Sequence, residues 1–159
     1  EAWGEGRHVK RVEKIDDHSG IVLTNGVFDI LHKGHIELLK FSKNQGDKLI
    51  VAIDSDERVR QLKGEDRPIN NEEDRRKVLE TNRYVDSVVT FNSSEELKTL
   101  YETLCPDVVV KGSEWTADEL RERDEIPDTI QVKVYPLVGD YSTTNTMEKI
   151  RNMGSCEKI

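Results

Sequence analysis

Cysteine is scarce in this chain: Cys105 and Cys156 are the only two among 159 residues. They lie far apart, with neither metal-type spacing nor a framework of pairs. A reduced, cytoplasmic compartment is therefore expected. Long apolar runs are missing as well. Nothing approaches the roughly 20 residues a membrane helix needs, and no N-terminal stretch has the order of a signal peptide, so no membrane partner is expected. Basic charge is also short, with 24 Lys and Arg against 32 Asp and Glu and a formal net charge of −8. A general nucleic-acid binder shows the opposite balance, so no nucleic-acid partner is expected. That exclusion does not extend to small anions, because a local basic pocket can sit inside an acidic protein.

What is present points to one compact domain. Hydrophobic and charged residues each make up 35%, which implies a modest core under a heavily charged surface. Residues 1–19 are polar and mixed in charge and read as an N-terminal arm, with the domain proper at 20–159. Ile21-Val22-Leu23, Leu49 to Ile53, Val85 to Phe91, Val108-Val109-Val110 and the alternating Ile130, Val132 and Val134 read as strands. Between them the spacing predicts helices over His35–Lys43, from Asn71, from Ser93 to Leu104, from Thr116, and after Thr143. Asn71 supplies an N-cap, and the Ser93/Glu96 and Thr116/Glu119 pairs have capping-box spacing. Alternation of this kind is the signature of an open α/β domain, a single Rossmann-like parallel sheet flanked by helices on both faces. Ligands of such sheets bind at the carboxyl ends of the strands, near a topological switch point.

The densest chemistry falls at one such end, in Thr24-Asn25-Gly26-Val27-Phe28-Asp29-Ile30-Leu31-His32-Lys33-Gly34-His35. Gly26 permits a tight turn, and Gly34 lets a phosphate approach the backbone at a helix start, where free N–H groups and the dipole favour anions. His32 and His35 either donate hydrogen bonds to phosphate oxygens or simply cap the helix. Zinc is rejected, since no third ligand lies nearby. Lys63 and Arg67 read as cations on a loop that folds over the site, or as part of a solvated surface. Lys111 and Gly112 end a buried strand. Trp115 either stacks on a ring or covers the core edge. Ser142, Thr143 and Thr144 place three hydroxyls at a helix start, which serves as a plain cap or a phosphate cradle.

The segment Gly26–His35 resembles the signature of the cytidylyltransferase-like nucleotidyltransferases, and the resemblance runs from about Ile21 to Arg151. It implies that His32 and His35 bind a nucleoside triphosphate and stabilise the transition state at the α-phosphorus, with Lys63 and Arg67 as further catalytic cations. It assigns Thr24, Asn25, Gly26, Val27, Phe28, Gly34, Lys111, Gly112, Ser142, Thr143 and Thr144 to nucleotide binding. Asp29, Arg75 and Arg83 are the expected acceptor-side residues, with Asp29 alternatively orienting the loop. Mg²⁺ is expected to accompany the triphosphate, with no protein ligands for a metal identified. A homodimer is expected because the family is often dimeric.

Two members of that family compete. Lys63-Gly64, Arg67-Pro68-Ile69-Asn70, Val110-Lys111-Gly112 and Ser142-Thr143-Thr144-Asn145 look like heptose-1-phosphate adenylyltransferases, whose substrates are ATP and a phosphorylated sugar. Leu79 to Asp86, which contains Arg83, is similar to glycerol-3-phosphate cytidylyltransferase, which pairs CTP with a polyol phosphate. The acidic, glycine-free stretch Arg121–Asp128 departs from the heptose pattern. Adenylyl transfer to a sugar 1-phosphate is the favoured expectation. A non-catalytic nucleotide-binding regulator is the alternative of another class. A dinucleotide-dependent oxidoreductase is disfavoured, because no Gly-x-Gly-x-x-Gly follows the first strand.

Overall fold

Among the described residues, five apolar stretches become five parallel strands: β1 (Ile21–Gly26), β2 (Lys48–Asp54), β3 (Ser87–Phe91), β4 (Val108–Gly112) and β5 (Gln131–Tyr135). Six helices separate or follow them: α1 (Lys33–Lys43), α2 (Asp56–Lys63), α3 (Glu72–Glu80), α4 (Ser94–Leu104), α5 (Ala117–Asp124) and α6 (Thr143–Gly154). The computed structural model describes residues 20–112, 115–136 and 142–154; the expected N-terminal arm and Cys156 lie outside the described residues.

The strand order is β3-β2-β1-β4-β5. The chain winds outward from β1 to β3, then crosses back to lay β4 against the other side of β1. The direction of winding reverses between β1 and β4, which makes their carboxyl ends the switch point where such sheets open a crevice.

Burial explains the patterning. In β2 every residue after Lys48 is buried, as a central parallel strand covered on both faces requires. Alternate side chains feed two cores. Leu23, Ile50, Ala52, Val109 and Val132 pack with Leu97 and Tyr101 of α4 and Leu120 of α5. Val22, Leu49, Val51, Ile53 and Val110 pack with Leu39 of α1 and Leu79 of α3 on the opposite face. Helices therefore cover both faces, and the expected fold class is borne out. Among the described residues no helix is long and apolar enough to cross a membrane.

Local signals set the helix starts. Asn71 accepts from Asp74 N at 2.9 Å, and Thr116 and Glu119 form a complete capping box at 3.2 and 2.9 Å. Ser93 caps Glu96 N at 3.1 Å, but the Glu96 carboxylate accepts from Asn92 N instead of from the cap residue, so that box is half built. One helix departs from the sequence reading. No helix was expected between the second strand and Asn71, and Lys63 was expected on a loop, yet Asp56–Lys63 is the helix α2, capped by Ser55 through Arg58 N at 3.1 Å. It buries Val59 alone, so it carries almost no apolar stripe for periodicity to detect.

Candidate active site at the strand switch

A cavity of about 590 Å³ opens at the carboxyl ends of β1, β4 and β5. Its walls include Asn25, Gly26, Val27, Phe28 and Asp29 after β1, His32, Gly34 and His35 at the start of α1, Gly112 after β4, and Ser142, Thr143 and Thr144 at the start of α6. Lys63 and Arg67 also line it. Segments up to about 120 residues apart in sequence thus meet in one cavity. Lys33, Glu37, Leu38, Tyr135 and Pro136 line it as well and were not anticipated. Glu37 and Leu38 follow Gly34 at helical spacing, and Tyr135-Pro136 ends β5, so both had a readable signal.

Of the two alternatives expected of the histidines, the structure displays the helix cap. His32 is the N-cap of α1, and each ring accepts the other residue's backbone N–H: His32 N donates to His35 Nδ1 at 3.2 Å, and His35 N donates to His32 Nδ1 at 3.4 Å. The rings stack with centroids 3.8 Å apart. An imidazole nitrogen that accepts an N–H carries no proton, so in the neutral ring the proton sits on Nε2. Burial, helped by the charge of His32 and opposed by Asp29, lowers the His35 pKa to about 4. Burial also lowers that of His32. At neutral pH His35 is therefore an uncharged N–H donor whose orientation is set by the helix cap itself.

The loop between β1 and α1 is strained and held from several sides. Phe28 and Ile30 adopt left-handed φ values of 53° and 51°, which are unfavourable for bulky side chains and persist only where the surroundings over-determine them. Gly26 does not take a left-handed φ; a Cβ there would meet the Phe28 ring at 3.1 Å. Glycine is needed at that position for close approach, not for the turn that was expected.

The expected acceptor residues are placed differently. Asp29 is buried, and its carboxylate accepts from Ile69 N at 2.6 Å and from Asn70 N and Nδ2 at 3.1 Å. It orients the 64–70 loop from the cavity wall. Arg75, 1% exposed, donates to the carbonyls of Val27, Asp54 and Asn70 and to Asp56 Oδ1, all within 2.8–3.0 Å. This cation is an internal clamp joining the β1 loop, the end of β2 and the 64–70 loop, and it does not line the cavity. Arg83 is exposed, its guanidinium 5.1 Å over the Tyr84 ring, and it lies outside the cavity. It precedes β3 and so sits near the amino ends of the strands, away from the crevice.

Two nucleotide-side residues also act from behind the wall. Thr24 is fully buried and donates to Val110 O at 2.8 Å, tying β1 to β4. Lys111 is buried and donates to Asn25 Oδ1. Of the three hydroxyls that open α6, Ser142 caps Asn145 N at 2.9 Å and Thr143 donates to Asp29 O, while Thr144 faces Arg67 Nη1 at 3.5 Å. Arg67 Nε is buried with no hydrogen-bond partner in the structure. A buried N–H of a cation is seldom left unmatched, and an anionic ligand would match it. Lys63 closes α2 and is exposed at the rim, so the expected loop position holds for Arg67 but not for Lys63.

Comparison with known proteins agrees with this geometry. The profile of the cytidylyltransferase-like family matches residues 23–152. The bifunctional protein HldE of Koribacter versatilis is 45% identical over 130 residues, covering 81% of this chain and 26% of that protein. HldE of Campylobacter fetus is 38% identical, covering 94% of this chain and 35% of its own length. The chain thus spans about a quarter to a third of these relatives. A lipopolysaccharide core biosynthesis protein from Thermoplasma volcanium superposes with a TM-score of 0.61 at 32% identity, over 77% of this chain and 98% of that one. Pantothenate synthetase from Thermus thermophilus, at 14% identity and a TM-score of 0.52, shares the fold. The chain belongs to the cytidylyltransferase-like family.

Proposed function

We propose that the chain transfers the adenylyl group of ATP to a sugar 1-phosphate of the heptose type and releases pyrophosphate. The carrying observation is the pair of helix starts, α1 and α6, that open on one cavity with no acidic residue in either first turn. A helix N-terminus offers unsatisfied N–H groups and a partial positive charge, and two of them with Arg67 and Lys63 suit a triphosphate. The sugar acceptor is supported by the likeness to the HldE proteins and to the lipopolysaccharide core biosynthesis protein of Thermoplasma volcanium. The cytidylyl alternative with glycerol 3-phosphate rested on the stretch Leu79 to Asp86, whose Arg83 lies outside the cavity.

The proposed chemistry is in-line displacement. An acceptor phosphate oxygen forms a bond to the α-phosphorus while the bond to the bridging oxygen of pyrophosphate breaks, and the departing electron pair stays on pyrophosphate. The acceptor oxygen is already ionised at neutral pH, so no general base is needed. His35 donates its Nε2 proton as a hydrogen bond to oxygen atoms that gain charge, without transferring it. Arg67, Thr144 and the first turn of α6 receive the leaving group. Magnesium belongs here with the substrate. Among the described residues no group of three His, Cys, Asp or Glu could hold a metal, and both Asp29 oxygens are engaged. The ion would be carried by phosphate oxygens and water. A cytoplasmic location and a homodimer belong to the same proposal.

A pyrophosphate-release screen of ATP and CTP against heptose 1-phosphate and glycerol 3-phosphate tests this. Turnover with ATP and the sugar phosphate is expected. Turnover only with CTP and glycerol 3-phosphate contradicts the acceptor and nucleotide assignment, and tight nucleotide binding without turnover on any acceptor points to a regulator.

A further inference from the structure

Lys111 belongs to β4 but does not line the cavity. Its ammonium, with the side chain 7% exposed, lies between two oxygens: Asn25 Oδ1 on one side and Asp124 Oδ2, at 2.8 Å, on the other. An ammonium has three donors and no acceptor, so the Asn25 side chain must turn its oxygen toward Lys111. Its Nδ2 then points the other way, and Asn25 is a cavity residue. Asp124, the last residue of α5, anchors the chain from behind. Its carboxylate accepts from Lys111 and from Arg123 Nε at 2.8 Å, and the Arg123 guanidinium lies 4.7 Å over the Trp115 ring.

We propose that Asp124 is a positioning residue for the nucleotide: through Lys111 it fixes the Asn25 amide so that its N–H₂ group faces a hydrogen-bond acceptor of the bound nucleoside triphosphate. The inference rests on the reading of the cavity as a nucleotide site. It reaches into Arg121–Asp128, the stretch that departs from the heptose pattern, and gives one of its four acidic residues a task. Lys111 accordingly acts on the nucleotide through Asn25 and not by direct contact.

The electrostatics supply a signature. Burial lowers the Lys111 pKa, and the Asp124 charge and hydrogen bond partly restore it. Burial raises the Asp124 carboxyl, but the hydrogen bond from Arg123 and the charge of Lys111 outweigh that and hold it below the usual range. The other groups in electrostatic reach are Asp54 of β2, which favours the ammonium, Arg123 of α5, which opposes it, and Tyr101 of α4, beside Asp124. Without Asp124 the ammonium is lost at lower pH. A neutral amine can present its lone pair to Asn25, so the amide orientation is no longer imposed.

The test is calorimetric binding of ATP and of CTP, each with Mg²⁺ and no acceptor, to the full chain between about pH 7 and 9.5, the range below the ordinary lysine pKa. For whichever nucleotide binds the wild type, Asp124→Asn is expected to weaken binding about tenfold, as loss of a buried charged hydrogen bond does. Its further loss with rising pH sets in at lower pH than in the wild type. Lys111→Met is expected to weaken binding equally at every pH, because it has no amine to titrate. Asn25→Asp still accepts from Lys111 but offers the cavity an anion, and is expected to lose more than either. A profile for Asp124→Asn that matches the wild type, or is lowered by one constant factor, overturns the proposal. Unchanged binding by Asn25→Asp overturns it too. If Asp124→Asn does not fold, the double variant Lys111→Met/Asp124→Leu removes both buried charges and reads the same link. Affinity equal to that of Lys111→Met alone supports the relay, and a further drop contradicts it. A wild type that binds neither nucleotide removes the reading of the cavity and this proposal together, whereas a nucleotide-binding wild type with unaffected variants removes this proposal alone.

Discussion

The six helices among the described residues fall into two groups by what occupies their first turn. Helices α2, α3, α4 and α5 begin with Asp56 and Glu57, with Glu72, Glu73 and Asp74, with Glu95 and Glu96, and with Asp118 and Glu119. Helices α1 and α6 have no acidic residue there. In a chain of net charge −8, carboxylates are plentiful, and four helices use them to offset the positive end of their own dipole. The remaining two both open on the cavity. Their positive ends are left for a ligand, which is how an acidic protein can hold a more acidic molecule. The caps differ in the same sense. Asn71 and Thr116 serve their helices alone, whereas the His32–His35 cap also orients Nε2 of His35, and Thr143 also ties α6 to the β1 loop.

Removing a ligand-facing group should have the largest effect. His35→Ala is expected to lower the rate of pyrophosphate release about 10²–10³-fold in a folded protein, the usual consequence of losing one transition-state donor. Near wild-type turnover would remove His35 from the chemistry. Next comes the internal clamp. Arg75→Ala leaves three carbonyls and Asp56 without their donor, and is expected to destabilise the fold by about 3–5 kcal/mol, measured by urea unfolding. Loss of turnover with stability intact would return Arg75 to the acceptor side.

The contrast between helix groups can be reversed by design. Thr144→Asp gives α6 the acidic first turn of the others, and ATP binding is expected to weaken roughly tenfold or more through repulsion of the phosphates. Glu73→Gln removes such an acid from α3, and should cost only about 0.3–1 kcal/mol of stability while leaving ATP binding unchanged. Equal effects of the two on ATP binding would erase the distinction. The smallest effect concerns Arg83, which is exposed and outside the cavity. Arg83→Ala is expected to alter stability by less than about 0.5 kcal/mol and to leave turnover unchanged.

His35 also makes the fold sensitive to acid. Its pKa is about 4 in the folded chain against an ordinary value of 6.5. The unfolded chain therefore binds the extra proton first. Stability contributed by the neutral ring is full above about pH 6.5 and is lost as pH falls toward 4, by on the order of 3 kcal/mol. His35→Gln should flatten that part of a stability-against-pH curve; an unchanged slope would mean that other groups produce it.

The strands and five of the helices were legible because they carry either continuous apolar runs or caps at regular spacing. Helix α2 was not, since Asp56–Lys63 buries one side chain, although Ser55 followed by Asp56 and Glu57 was a start signal that could have been used. The cavity residues were legible where a motif sits at one strand end, as His32, Gly34 and His35 do. What stayed hidden was direction. Asp29 in the motif, Arg75 on α3 and Lys111 at the end of β4 are charged residues at or after strand ends, so each reads as facing the ligand, but their side chains are engaged by partners 21–86 residues away. A charge whose partner comes from a distant segment leaves no local pattern. Asp124 was passed over for the same reason, as one acid in a charged stretch.

If α1 and α6 together hold the three phosphates, removing the outer two from the ligand must weaken binding, and calorimetry with ATP and with AMP reads this most directly. The wild type is expected to bind ATP about a hundredfold more tightly than AMP, consistent with two helix starts and two cations on the outer phosphates, and Thr144→Asp is expected to narrow that gap. Equal affinity for ATP and AMP, unchanged by Thr144→Asp, would contradict it.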